Sequence, residues 1–244
     1  MKVRICFSKT EAGRYLSHLD LARTMERSLR RAKAPLAFSE GFNPHPKLSF
    51  ASALAVGVTG YREYLDVELS NRVDIRNFSQ ALMGAFPPVL ALVAAEGIDE
   101  GGKSLSAVVN LAIYRIVVEV SPEDKDKITE GVASVLAAKE LWRTPQEKPG
   151  KKPIPAKEVR GLIRRIEAVR TDETNTAAGD KRYAVTLEME LRLQADGQLR
   201  PQELCGWIAS AGGFIPEPAL LVSREALLIL QDGKVFSPME GVGI

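Results

Sequence analysis

Polar and apolar residues alternate over residues 2 to 8. Val3, Ile5 and Phe7 fall on one side, and Lys2, Arg4 and Cys6 on the other. That period of two predicts a strand. Leu19, Ala22, Met25, Leu29 and Ala32 then recur at helical spacing, predicting a helix over 18–33. Ser17 and Asp20 supply its start signal, and Lys33-Ala34-Pro35 ends it. A short strand at Leu36 to Phe38 leads into a loop, and Leu48 to Val56 and Tyr61 to Leu69 read as strands. In the second of these, Tyr61, Glu63, Leu65, Val67 and Leu69 share one side. A helix from Asp74 to Ala85 is stopped by Pro87-Pro88, and Val89 to Glu96 closes the series.

After a Gly/Ser-rich linker at 97–106 the pattern restarts. Val108 to Val120 is apolar and β-branched, and Pro122 to Lys139 is helical with acidic residues in its first turn. Leu141 to Thr144 reads as a short strand. Val159 to Arg170 is amphipathic and fits either a helix or a strand. Ala184 to Gln194 alternates as a strand, Pro201 to Ala211 is a helix, and Leu220 to Ser223 a last strand. Each half thus predicts βαββαβ. The expected class is α+β, with two tandem ferredoxin-like units and antiparallel sheets. The first domain spans 1–98 and the second 106–226, with a basic insertion at 145–170, and 227–244 is a tail.

Composition narrows the chemistry. Of 244 residues 45% are hydrophobic and the net charge is only +2, which excludes a disordered chain. No apolar run approaches the roughly 20 residues of a membrane span, and the alternating N-terminus does not resemble a signal peptide. Cys6 and Cys205 are the only cysteines, a usage that points to a cytoplasmic protein with buried thiols. Two Cys and two His without ligand spacing predict no metal site, and no cofactor loop such as GxGxxG or GxxxxGK[ST] is present.

The small net charge hides a partition. Residues 1–50 carry ten Lys and Arg against four Asp and Glu, and residues 143–170 carry nine against three. The intervening and following stretches are acidic. Arg23, Arg27, Arg30 and Arg31 form one stripe along the first helix. Such a stripe is a solvated face in most helices, but Arg pairs bidentately with phosphate. Lys148, Lys151 and Lys152 lie in a Lys/Pro segment that reads equally as a disordered loop or a binding arm, and Arg160, Arg164 and Arg165 extend it. Both blocks on one face would make a polyanion groove.

His18 and His45 are the only histidines, and both fall in the first basic block. His18 occupies the first turn of the Arg helix, where free N–H groups favour an anion and an imidazole can orient or deprotonate a hydroxyl. Its structural alternative is capping or packing against the sheet. His45 sits in Gly41-Phe42-Asn43-Pro44-His45-Pro46-Lys47-Leu48-Ser49-Phe50, where the prolines restrict the backbone. Gly41, Phe42, Asn43, Pro44, Pro46, Lys47 and Ser49 make this a recognition loop. Its alternative is a rigid connection with a buried Phe42.

Tyr15-Leu16-Ser17-His18-Leu19-Asp20, the Arg helix and the 41–50 loop together resemble the bacterial radical-SAM-linked protein family. That resemblance implies a separate radical SAM protein as partner, since this chain lacks CxxxCxxC. The tandem architecture with an early His is also similar to the CRISPR repeat-processing endoribonucleases. The glycine-rich signature of that group is not matched at Gly241-Val242-Gly243, so the likeness implies RNA binding before cleavage.

The expectation that follows is an accessory protein that binds structured RNA for a radical SAM enzyme. Arg23, Arg27, Arg30, Arg31, Lys47 and the 148–165 block would contact phosphates. One alternative is a metal-independent endoribonuclease with His18 and His45 as catalytic groups. Another is a protein–protein adaptor.

Overall fold

The structure is a computed structural model, which describes residues 1–99, 101–143, 156–176, 179–194, 197–215 and 221–239. In chain order its elements begin with β1 (Lys2–Lys9), α1 (His18–Arg31), β2 (Leu48–Phe50), β3 (Thr59–Glu68), α2 (Ile75–Ala85), β4 (Leu90–Ile98) and α3 (Leu105–Val108). They continue with β5 (Leu111–Val120), α4 (Lys125–Ala137), β6 (Trp142–Arg143), β7 (Lys157–Glu158), β8 (Ile163–Asn175) and β9 (Lys181–Gln194). The last are β10 (Gly197–Gln198), α5 (Pro201–Gly212), β11 (Leu221–Gln231) and β12 (Lys234–Phe236). The class is α+β with mostly antiparallel pairing. No described helix is long and apolar enough to cross a membrane.

The chain divides into two compact units, Met1–Leu111 with Ser223–Ile244, and Ala112–Val222. In the first, β1 lies between β3 and β4 and is antiparallel to both. β2 is antiparallel to β3, and β11 runs parallel to the start of β3, with Ser223 opposite Thr59 and Arg224 opposite Gly60. Val3, Ile5, Phe7, Leu65 and Val67 form one apolar layer, packed on Leu21, Met25 and Leu29 of α1 and Phe78 and Leu82 of α2. Each such side chain contributes roughly 1.5–3 kcal/mol through its burial.

The opposite parity of β1 and β3 is also buried, and it is polar. Arg4 donates from Nε and Nη2 to the two Asp66 carboxylate oxygens at 2.7 and 2.9 Å, and from Nη1 to the Pro238 carbonyl at 2.7 Å. The Tyr64 hydroxyl lies 3.4 Å from Ser237 Oγ. These bonds hold residues 237–238, expected to lie in a tail, against the sheet. Most of β11 likewise belongs to the first unit, where the sequence suggested only a short closing strand of the second domain.

In the second unit β8 and β9 form a long antiparallel hairpin, and β9 also neighbours β5 and β10. This settles the 159–170 ambiguity: Arg160–Leu162 is a 3-10 turn, and the strand begins at Ile163. α4 packs on α5 so closely that a Cβ on Gly131 would stand 2.2 Å from the Ile208 carbonyl oxygen.

Other boundaries moved for identifiable reasons. Leu36 and Phe38 make only isolated bridges, to Leu69 and Pro46, in place of a strand. The strand expected over 48–56 stops at Phe50, because the following residues turn to meet Arg14 and Lys9. β4 runs on to Ile98, into the expected linker, because its backbone stays paired with Lys2 of β1.

Candidate functional site

α1 starts as its sequence predicts. Ser17 is the N-cap and accepts from the Asp20 backbone N–H at 3.2 Å, while its hydroxyl donates to Asp20 Oδ2 at 2.6 Å. The buried face is Leu21, Met25, Ser28 and Leu29. Leu19, expected to point inward, is 58% exposed, because docking of the helix turns Leu21 to the sheet instead.

That rotation leaves Arg23, Arg27, Arg30 and Arg31 all exposed. Arg23 lies 3.8 Å from Asp20, and Arg30 donates from Nε to Glu26 at 3.0 Å. Arg31 donates to the Ala85 carbonyl at 2.8 Å and to Ser28 Oγ at 3.2 Å. Arg27 makes no ion pair with any described residue. Exposed pairs of this kind contribute little and exchange readily for a phosphate partner.

The 41–50 loop is a stalked hairpin. The Ser39 N–H donates to the His45 carbonyl at 2.8 Å, and the His45 N–H donates to Ser39 Oγ at 3.0 Å. Below this the Lys47 N–H donates to the Ala37 carbonyl at 2.9 Å, and Phe38 bridges Pro46. Gly41 turns the tip at φ +121°, a conformation that residues with a Cβ rarely adopt. Phe42 is not buried, as the rigid-connection alternative required, but is fully exposed at 106%. Gly41, Asn43, Pro44 and His45 are exposed with it, whereas Pro46 and Ser49 are half-buried. Lys47 is exposed and pairs with Glu68 at 3.3 Å. The Arg30 guanidinium lies over the Phe38 ring, 5.3 Å from its centroid, so the helix and the loop's stalk meet there.

His18 is exposed at the start of α1, with its ring edge-on to Phe50 at 5.2 Å. Phe50 in turn packs edge-on to Phe7 of the core at 6.2 Å. The imidazole is therefore oriented by an apolar contact. His18 and His45 make no hydrogen bond or ring contact with each other.

Beneath this surface lies a polar cluster that periodicity did not single out as functional. Lys9 is fully buried, and its Nζ donates to the Arg14 carbonyl at 3.1 Å and the Ala55 carbonyl at 3.3 Å. The Gly57 N–H also donates to Arg14, at 2.8 Å. Burial pulls the Lys9 ammonium down to about 8, and Arg224 adds to this while Glu63 opposes it. Arg224 is fully buried and binds Glu63 through Nε and Nη2, and it also donates to the Ser52 and Ala53 carbonyls. Two loops, 10–17 and 51–57, are thus pinned from below, and they flank His18 and Phe50. One signal existed: Lys9 and Glu63 occupy the parity of Val3, Ile5, Phe7 and of Leu65, Val67. Nothing local distinguishes Arg224.

The second basic block is spent differently. Arg160 donates to the Leu136, Ala138 and Ile163 carbonyls, closing the end of α4. Arg164 pairs with Glu190, and Arg165 with Glu167 and Glu190. Lys148, Lys151 and Lys152 lie outside the described residues. Both thiols are buried, and burial pushes Cys6 up to about 11 and Cys205 up to about 12, so neither is poised as a nucleophile.

No curated protein matches this chain. The family model described as "Uncharacterized protein conserved in bacteria (DUF2344)" matches residues 2–201. With most of its length covered, including α1, the hairpin loop and the buried Lys9–Glu63 layer, the chain belongs to that bacterial family.

Proposed function

We propose that this protein is an accessory RNA-binding protein that presents its substrate to a separate radical SAM enzyme. The observation that carries the RNA half is the exposure of Arg23, Arg27, Arg30 and Arg31 on one helix, joined through Arg30 and Phe38 to a stiff loop that also carries His45 and Lys47. The partner rests on the resemblance of residues 15–20 and 41–50 to radical-SAM-linked proteins. A ferredoxin-like reading of the first unit is supported by its antiparallel pairings of β4 with β1, β1 with β3 and β3 with β2.

The Arg side chains supply phosphate contacts, and His18 and His45 act as recognition groups. Arg160, Arg164 and Arg165 are engaged within their own unit, so the first basic block is the proposed surface. Filter binding to total cellular RNA at two salt concentrations tests this. Binding that weakens steeply with salt is expected. Failure to retain RNA at low salt overturns it. Co-purification with a radical SAM protein after nuclease treatment tests the partner, and its absence overturns that half.

The enzyme reading has one observation in its favour, the exposed imidazole of His18 held by Phe50. Loss of RNA cleavage in His18→Ala with binding retained would establish it.

A further inference from the structure

We infer that Phe42 is a stacking plate for an unpaired nucleobase, so that the site takes single-stranded segments of RNA in preference to duplex. The inference rests on the RNA-binding reading and specifies its substrate.

Phe42 is the most exposed large hydrophobic residue among those described, at 106%. The tip stands on two backbone bonds, Ser39 N–H to the His45 carbonyl and Lys47 N–H to the Ala37 carbonyl, and on the bond from the His45 N–H to the Ser39 hydroxyl. Pro44 and Pro46 remove further freedom, and Gly41 sets the turn immediately before the ring. Little conformational entropy remains to be lost when a partner settles on it.

The neighbours decide which partner. An apolar pocket on a protein would demand an apolar rim around the inserted ring. The chain neighbours of Phe42 are Glu40, Gly41, Asn43, Pro44 and His45, all exposed, and none is aliphatic apart from the proline. Asn43 offers a donor and an acceptor together, as a base edge requires. The other ring of the hairpin, Phe38, already carries the Arg30 guanidinium on its face. Phe42 has no ring or cation contact with any described residue. An open aromatic face, an amide and an imidazole on one tip, with exposed Lys47 and Arg27 in the same unit, match the components of single-strand recognition: stacking, edge contacts and phosphate contacts. The bases of a duplex interior are already stacked on both faces and offer this ring no surface.

The test is fluorescence anisotropy of the full chain at low salt. The probes are a labelled 12-nucleotide single-stranded RNA and a 12-base-pair RNA duplex. The wild type is expected to bind the single strand at least about ten-fold tighter than the duplex. Phe42→Ala should lower single-strand affinity roughly ten- to hundred-fold, the range of a lost base–aromatic stack, and change duplex affinity less than two-fold. Phe42→Trp should retain affinity, and its emission should be quenched by the single strand. The fully exposed Phe42 contributes nothing to the core, so unchanged thermal unfolding of Phe42→Ala is expected. Equal binding of both RNAs with no effect of Phe42→Ala, or an equal loss on both, overturns the stacking inference and leaves RNA binding standing. Binding of neither RNA by the wild type overturns the RNA-binding reading itself.

Discussion

Arg224 and Glu63 stand 161 residues apart in the chain and form one buried ion pair, with Nε 2.7 Å from Oε1 and Nη2 2.5 Å from Oε2. β11 lies parallel to β3 there, and Arg224 faces Gly60 in the register. Gly60 is itself hemmed in by the side chains of Glu63 and Leu54: a Cβ there would sit 2.8 Å from Glu63 Cγ and 2.9 Å from Leu54 Cδ2. Nη1 donates to the Ala53 carbonyl and Nη2 also to the Ser52 carbonyl, so the guanidinium also fixes the loop after β2.

Breaking this pair from one side strands a charge out of water. Arg224→Met is expected to destabilise the protein by about 3–5 kcal/mol, because Glu63 and two carbonyls lose their donor. The double variant Arg224→Met with Glu63→Leu should recover part of that loss. Urea unfolding midpoints of the single and double variants check this, and a double variant no better than the single one would contradict it.

Lys9 confers a stability that rises with pH. Its ammonium titrates near 8 when folded, against 10.5 in an exposed lysine. The unfolded chain therefore binds more protons between those values, and the linkage sign makes folding more favourable as pH rises through about 8 toward 10.5. Below 8 the burial penalty is present in full. The difference in unfolding free energy between wild type and Lys9→Met, followed from pH 7 to pH 10.5, should move in favour of the wild type. A flat difference would remove Lys9 from this role.

Gly131 is a packing requirement of the second unit. A methyl group there meets the Ile208 carbonyl oxygen at 2.2 Å, which is backbone on the facing helix and cannot rotate aside. Gly131→Ala is expected to cost about 1–3 kcal/mol despite the better helix propensity of alanine. Gly206→Ala, in α5 with nothing within 4 Å, should be neutral or slightly stabilising. Thermal unfolding of the two variants compares them directly.

Arg27 and Arg160 should behave oppositely. Arg27 is exposed with no ion-pair partner among the described residues, so Arg27→Ala should leave stability within about 0.5 kcal/mol and reduce the salt slope of RNA binding by about one. Arg160 satisfies two carbonyls at the end of α4, those of Leu136 and Ala138, and the Ile163 carbonyl at the start of β8, so Arg160→Ala should lower stability and leave the salt slope unchanged. Denaturation paired with salt-dependent binding on the same two proteins distinguishes them.

Much of the local architecture was legible along the chain. β1, α1, β3, α2 and the β9 strand lie close to where periodicity placed them, and Ser17 and Asp74 cap the helices they precede. The recognition loop and the Arg helix were legible by residue type, and both are exposed. The use of each cation was not. Arg31 caps a neighbouring carbonyl, Arg160 closes a helix, and Arg164 and Arg165 are held by carboxylates on β9 or their own strand.

The sequence by itself determined the elements, because periods of 2 and 3.6 are local properties of backbone geometry. It also determined the stiffness of the 41–50 loop, because glycine and proline act on the residues beside them. Only the tertiary structure decided that Leu21 and not Leu19 faces the sheet, that Phe42 stands in solvent, and that Lys9, Glu63 and Arg224 share one buried layer. The first depends on how α1 docks, and the second on which bonds close the stalk. The third depends on a strand from the far end of the chain passing beside Gly60. Burial and charge pairing are set by neighbours in space, and neighbours so far apart in the chain leave no local pattern to read.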